Sequence, residues 1–219
     1  MIAAEAPKDC PLCPRLVAYR QANAALEPSW FNGAAPSFGG DDARLVIVGL
    51  APGRTGANRT GRPFTGDYAG DLLYATLAKF GFGEGTYRAD PKDGFRLVDA
   101  MVTNAVRCAP PENKPTPAEI ATCRAFLSAR LDALPRRRVL LALGSIAHDS
   151  VLRAHGLKPT VAKFAHGAEY DLPGGATLLS SYHCSRYNTQ TRRLTTEMFE
   201  AVMARARDLL DARAATERA

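Results

Sequence analysis

The sequence predicts an α/β chain folded as a three-layer α/β/α sandwich around a four-stranded parallel sheet. Three observations carry that prediction. Four short apolar runs recur along the 219 residues, amphipathic stretches of helical length separate them, and the two signals alternate. Strands that alternate with helices form βαβ crossovers, which build a parallel sheet with helices on both faces. A chain of this length fits one domain, 1–219, and can bury a core without a disulfide scaffold.

The strands are expected at 44–50 (RLVIVGL), 99–106 (DAMVTNAV), 138–144 (RVLLALG) and 176–183 (ATLLSSYH). Short, mostly apolar runs suit strands covered on both faces, although the second and fourth carry polar residues near their ends. Helices are expected at 67–80, 117–134 and 145–154. The second opens with Thr116, Pro117, Ala118 and Glu119, a capping box with proline at the first helical position. A last helix, at 191–213, would carry Leu194, Met198, Val202 and Leu209 near one face. No internal repeat or low-complexity tract interrupts this order.

Composition excludes other classes. Hydrophobic residues make up 46% and charged residues 23%, with Gly 18 and Pro 15, which rules out collagen-like, coiled-coil and wholly disordered chains. No apolar run approaches the roughly 18–20 residues of a membrane span. The N-terminal MIAAEAPKDC has neither a basic n-region nor an apolar h-region, so a cytoplasmic location with no membrane partner is expected; a monomer is expected as well. Lys plus Arg number 28 against 22 for Asp plus Glu, a net +6. That excess leans toward a polyanionic partner but also suits a mildly basic enzyme.

In open α/β sheets the ligand crevice lies outside the carboxyl ends of the strands. The loops to read are therefore 51–66, 107–116 and 184–190. The first begins Gly49, Leu50, Ala51, Pro52, Gly53, Arg54, Thr55, Gly56, and its glycines let backbone approach a ligand closely. It is neither a phosphate-cradling G-x-x-x-x-G-K-[ST] nor a well-formed G-x-G-x-x-G. It continues through Arg59, Arg62, Phe64 and Asp67, as a loop built to wrap a ligand would. The plainer reading is a mobile lid with Asp67 capping the next helix. The fourth strand runs out through Ser180, Ser181, Tyr182 and His183, with Cys184, Ser185, Arg186 and Tyr187 beyond. Asn104 lies near the end of the second. Topology thus brings Phe64, Asp67, Asn104 and His183 together. The run Arg136, Arg137, Arg138 starts a strand at the opposite end and reads as a solvated face.

Five cysteines in a chain with no export signal suggest metal, cluster or redox chemistry rather than disulfides. Cys10 and Cys13 form a C-x2-C pair; Cys108 follows the second strand and Cys123 lies in the capped helix. Four thiolates from two distant stretches can close on one centre. Their spacing accepts either zinc or a [4Fe–4S] cluster. Cys184 stands apart.

The stretches GLAPGRTGANRTGRPFTGD, TNAVRC and SYHCSRYNTQTRRLT resemble the motif set of the uracil-DNA glycosylase superfamily. The cysteine arrangement is similar to its iron–sulfur members, and NRTGRPFTGD to the family-five, or B-type, branch. The likeness runs from Cys10 to about Leu194. It implies a monofunctional enzyme that hydrolyses the N-glycosidic bond of uracil, and of other deaminated bases such as hypoxanthine, in damaged DNA. A strictly uracil-specific enzyme and a non-catalytic, cluster-bearing DNA binder are the alternatives.

The same resemblance implies a [4Fe–4S] cluster on Cys10, Cys13, Cys108 and Cys123. It implies a base pocket formed by Gly49, Ala51, Gly53, Phe64, Asn104 and His183. Catalysis would fall to Asp67, Asn104 and His183. DNA contacts would fall to Arg54, Arg59, Arg62, Ser185, Arg186, Tyr187 and Arg192, with Arg193 beside them. Two departures stand out: Leu50 and Ala51 occupy the first motif where several branches carry a polar water-handling residue, and Cys184 stands where the family has proline. Asp67 is the remaining candidate for handling water. Loss of proline leaves the loop after His183 less constrained.

Overall fold

The computed structural model describes residues 3–216, the side chains of 213–216 aside. The helices are α1 (Pro14–Leu26), α2 (Ala57–Thr60), α3 (Tyr68–Lys79), α4 (Pro117–Asp132), α5 (Ser145–Ala154), α6 (Arg186–Gln190) and α7 (Thr196–Thr216). The strands are β1 (Phe38–Gly39), β2 (Leu45–Gly49), β3 (Gly83–Glu84), β4 (Arg96–Leu97), β5 (Ala100–Asn104), β6 (Val139–Leu143), β7 (Glu169–Asp171) and β8 (Thr177–Ser181).

The four anticipated strands are β2, β5, β6 and β8, all parallel and buried along their whole length. The sheet is wider than expected, however. Its order is β1-β5-β2-β6-β8-β7, six strands rather than four, and both edge strands are antiparallel. At two and three residues, β1 and β7 are too short to show any periodicity. Strands β3 and β4 form a separate two-stranded ribbon.

Side chains alternate between the two faces of each strand. Leu45, Ile47, Leu141 and Leu179 join Leu73 and Leu77 of α3 and Phe199 and Met203 of α7 in one layer. Val46, Val48, Leu140 and Leu178 join Leu127 and Leu131 of α4 and Val151 of α5 in the other. A third apolar cluster gathers Cys10, Leu16, Val106, Cys108, Cys123 and Phe126. Register then sets the crevice: Gly49 pairs with Asn104, and Leu143 with Ser181, at the carboxyl end of the sheet.

The capping box of α4 is present, with Thr116 Oγ1 accepting from Glu119 N and Glu119 accepting from Thr116 N. Glu119 also accepts from Arg15 of α1 at 2.7 and 2.8 Å, docking that helix. The helical expectations need correction. Helix α1, with proline at its first turn, and the short α2 and α6 within the loops at 51–66 and 184–190 were not anticipated. The last helix begins at Thr196, not 191, because Thr195 Oγ1 accepts from Met198 N and Arg192 turns the chain with φ 55°. Leu194 therefore sits in the core from a turn, ahead of the helix. Among the described residues no helix is long and apolar enough to cross a membrane.

Candidate active site

A crevice of about 550 Å³ opens beyond the carboxyl ends of the strands, a size that suits a small ligand or one nucleotide base. Phe64, Asp67, Asn104 and His183 all line it, with Ala51, Gly53, Arg54, Ser185 and Arg186. The four groups anticipated from separate loops therefore do meet.

Asn104 ends β5 with only 2% of its surface exposed. Its side-chain oxygen is buried without a hydrogen-bond partner, a costly state for a polar atom that nothing completes. Gly49 lies directly beneath. A Cβ at Gly49 would stand 2.4 Å from Asn104 Oδ1 and 2.5 Å from Phe64 Cζ, so glycine is what lets ring and amide approach each other over β2.

Phe64 adopts φ 54°, a left-handed conformation that a bulky residue holds only under surrounding constraint. Tyr74 Oη donates to Pro63 O at 2.6 Å and Tyr87 Oη to Phe64 O at 3.1 Å. A Cβ on Gly70 would fall 1.7 Å from Phe64 O, so only glycine lets α3 lie this close. Arg62 completes the clamp. Its guanidinium pairs with both Asp93 oxygens at 2.8 Å, among the rings of Phe38, Tyr74 and Tyr87. With side-chain exposures of 5% and 0%, Arg62 and Asp93 are shut away from any nucleic acid. The expectation that Arg62 contacts DNA is thus corrected: it is a buried anchor of the Phe64 turn.

The His183 ring stacks beside Phe64, centroids 5.8 Å apart and 26° from parallel. Burial pushes its pKa down to about 4, so the imidazole is neutral at physiological pH. Asn188 Nδ2 donates to His183 O at 2.8 Å, and Ser185 Oγ accepts from Asn188 N to start α6. Asp67 does two things with one carboxylate. Oδ1 accepts from Gly70 N at 3.1 Å and caps α3; a Cβ at Gly56 or Gly53 would stand 2.5 or 3.6 Å from Oδ2, on the glycine-loop side. Burial raises its pKa, opposed by the Gly70 amide. Asp67 therefore caps α3 and lines the crevice with the same carboxylate.

The basic and aromatic rim is arranged as follows. Arg54 Nε donates to Asn23 Oδ1 at 2.7 Å while its guanidinium lies 4.9 Å over Trp30. Arg59 is exposed, its Nε donating to Thr55 O. Arg186 lies over Tyr68, and Arg193 over Tyr182. Tyr187 is 70% exposed, and Arg192 is exposed at the turn before α7. Sequence reasoning missed Tyr19, Glu112 and Asn113, which also line the crevice. Tyr19 rides on the unanticipated α1; Glu112 and Asn113 hold φ near 55° and 57° in a tight turn. Asn113 Oδ1 and Asp67 Oδ2 flank the same side of Gly53.

Cys10, Cys13, Cys108 and Cys123 line one small cavity with Leu16, Val106 and Phe126, and no cysteine is in a disulfide. Arg20 Nη1 donates to Cys108 Sγ at 3.6 Å and Arg107 N to Cys123 Sγ at 3.2 Å. Burial pushes the Cys108 and Cys123 thiols up to about 11. Among the described residues, no three His, Cys, Asp or Glu side chains are set round a single metal ion. Cys184 is elsewhere, fully buried with Sγ donating to Ala69 O at 3.5 Å.

Residues 36–207 match the family model described as the uracil DNA glycosylase superfamily. The chain is 48% identical over 206 residues to the type-5 uracil-DNA glycosylase of Thermus thermophilus, covering 91% of this chain and 93% of that protein. It is 41% identical over 209 residues to the type-5 enzyme of Mycobacterium tuberculosis, covering 91% and 78%. A type-4 uracil-DNA glycosylase of Thermotoga maritima is 33% identical over 164 residues, covering 73% and 76%.

Proposed function

The chain belongs to the uracil DNA glycosylase superfamily, and from that premise we propose that it hydrolyses the N-glycosidic bond of uracil in DNA, opening base excision repair, at the crevice described above. The observation that carries the reading is the buried, unpartnered Asn104 oxygen beside the Phe64 ring. An amide there accepts from uracil N3–H and donates to the adjacent O4, satisfying an atom that otherwise lacks a partner. Cytosine presents the opposite pair and is mismatched with the amide in this orientation.

A glycosylase must rotate its nucleotide out of the stack, which costs a few kcal/mol. Stacking on Phe64 recovers roughly 1–3 kcal/mol. As the bond breaks, negative charge grows on the leaving base and positive charge on the sugar. Neutral His183 donates a hydrogen bond to the base carbonyl that gains charge, without protonating it. Asp67 Oδ2, positioned by the capping bond that Oδ1 accepts, orients the attacking water and faces the cationic sugar. Arg54, Arg59, Arg186 and Arg192 neutralise phosphates, and Tyr187 fills the space left by the flipped nucleotide.

Hypoxanthine offers the same donor and acceptor pair on its N1–H and O6 edge, and a crevice of about 550 Å³ admits a purine. We therefore include it as a substrate. The four gathered thiols suit a [4Fe–4S] cluster. Such a cluster takes one thiolate at each of four irons and asks for four sulfurs round a common space, not for one coordination sphere. When bound it is a structural clasp that fixes α1 and α4 to the segment after β5; the residues of the crevice carry the reaction.

The test is alkali-revealed cleavage of labelled duplexes carrying a single G·U or a single G·I pair. Cleavage of both is expected. Cleavage of G·U alone would make the enzyme uracil-specific, and tight binding of the G·U duplex with no abasic product would make the protein a binder.

A further inference from the structure

A second groove, of about 520 Å³, opens on the far side of the glycine-rich loop, lined by Lys8, Ser29, Trp30, Phe31, Arg59 and Asp90 among others. We infer that it holds the sugar–phosphate strand flanking the flipped nucleotide, with phosphates at Lys8 and Arg59 and a sugar or base against Trp30. This rests on the reading of the crevice as a DNA glycosylase site.

Three observations support it. First, side-chain contacts link the groove to the crevice. Arg54 lines the crevice while stacking on Trp30, which lines the groove, and Thr55 of the crevice wall holds Arg59 through its carbonyl. Second, the walls are prebuilt. Phe31 N donates to Arg59 O and Asn32 N to Asn58 O, both at 2.9 Å. The two side chains at Asn32 and Asn58 are themselves bonded at 3.0 Å, so α2 and the 30–32 segment form one rigid unit. Third, the chemistry matches a polyanion with flat rings. Lys8 lies 4.9 Å over the Phe31 ring, and neither Lys8 nor Arg59 makes an ion pair with a described residue. The one carboxylate there, Asp90, accepts from the backbone amide of Lys92. Cations interleaved with aromatic faces are what a backbone-tracking surface for nucleic acid requires.

Trp30 is the single tryptophan of the chain, so its fluorescence reports on this groove directly. The whole protein is titrated with a duplex carrying one 2′-fluoro-2′-deoxyuridine, whose base is not released. The titration is repeated with duplexes trimmed close to the lesion on one side or the other. Trp30 emission is expected to be quenched by the full duplex and not by one of the trimmed pair. The double variant Lys8→Gln/Arg59→Gln should lower the salt slope of binding to the full duplex by about 0.9 for each phosphate contact removed, and leave it unchanged on that trimmed duplex. Equal quenching by all three duplexes, or an unchanged slope in the double variant, overturns the proposal. Failure of the wild-type protein to release uracil from an ordinary uracil duplex would instead sink the glycosylase reading on which it rests.

Discussion

The Phe64 and His183 rings lie side by side on the crevice wall, their centroids 5.8 Å apart and their planes 26° from parallel, so the proposed stacking face and the proposed hydrogen-bond donor occupy one place in the fold. Burial pushes the His183 pKa down from 6.5 to about 4. The unfolded chain therefore takes up this proton first. Stability contributed by the neutral ring is full above pH 6.5 and is lost as pH falls toward 4. His183→Ala is expected to slow base release by about 10²–10³-fold, as for loss of one oxyanion donor. Wild-type single-turnover rates should show no histidine titration across neutral pH. A rate that follows an ordinary histidine pKa would remove the neutral-donor role.

Asp67 lets capping and chemistry be separated. Asparagine caps a helix as well as aspartate does, whereas alanine costs about 1 kcal/mol. Asp67→Asn should therefore melt near the wild-type temperature yet release base about 10²–10⁴-fold more slowly, the range for a lost general base. Asp67→Ala should lose both. Because burial raises this pKa, the wild-type rate should climb with pH through a carboxyl titration above the ordinary aspartate value. Equal melting and equal rates for wild type and Asp67→Asn would reduce the residue to a cap.

What the sequence discloses depends on how local the signal is. The strands β2 and β6 are continuous apolar runs because both faces are covered, so 44–50 announces Leu45–Gly49 within a residue at each end. The strand-end rule then locates Asn104 and His183 with no knowledge of their partners. Arg62 is misread for the opposite reason. Its meaning comes from Asp93, 31 residues away, and nothing local distinguishes a buried anchor from a phosphate contact. Helix α1 buries only Leu16, Arg20 and Asn23, too thin a stripe to register between prolines, and Tyr19 is lost with it.

The clamp on the Phe64 turn makes a strong stability prediction. Asp93→Asn leaves the Arg62 guanidinium buried without its counter-charge, at a cost of about 3–5 kcal/mol. For a chain of this size that is a melting decrease on the order of 10 °C, measurable by calorimetry. The hydrogen bonds from Arg62 hold the Asp93 carboxyl well below the usual carboxylate range. Its contribution is therefore present above the ordinary aspartate pKa and is lost as pH falls below it. Asp93→Asn should lack that acid-side loss, and a melting temperature equal to wild type would show that the pair adds nothing.

Binding of a cluster should be visible as proton release and as colour. Burial holds the Cys108 and Cys123 thiols near 11, so metal must displace protons to gain thiolates. Protein purified without oxygen should absorb in the visible. Iron chelation should bleach that absorption and lower the melting temperature together. Cys108→Ser should be colourless and less stable, while Cys184→Ser, buried against Ala69 O, should keep its colour. A colourless wild-type protein containing zinc would replace iron at this centre.

Gly49 separates the base pocket from the fold most cleanly. It ends a buried parallel strand without a left-handed φ, so alanine suits the backbone there, and any loss of stability comes from crowding by the added methyl alone, at about 1–3 kcal/mol. Its Cβ, though, would stand 2.4 Å from Asn104 Oδ1 and 2.5 Å from the Phe64 ring, the two groups proposed to hold the base. One of them must move, and the tight turn at Phe64 leaves the ring little room. Gly49→Ala should keep its fold and its affinity for undamaged duplex, which depends on phosphate contacts, while base release falls by at least the factor seen for His183→Ala. Release at the wild-type rate would place the base outside the Phe64–Asn104 gap and require a different pocket.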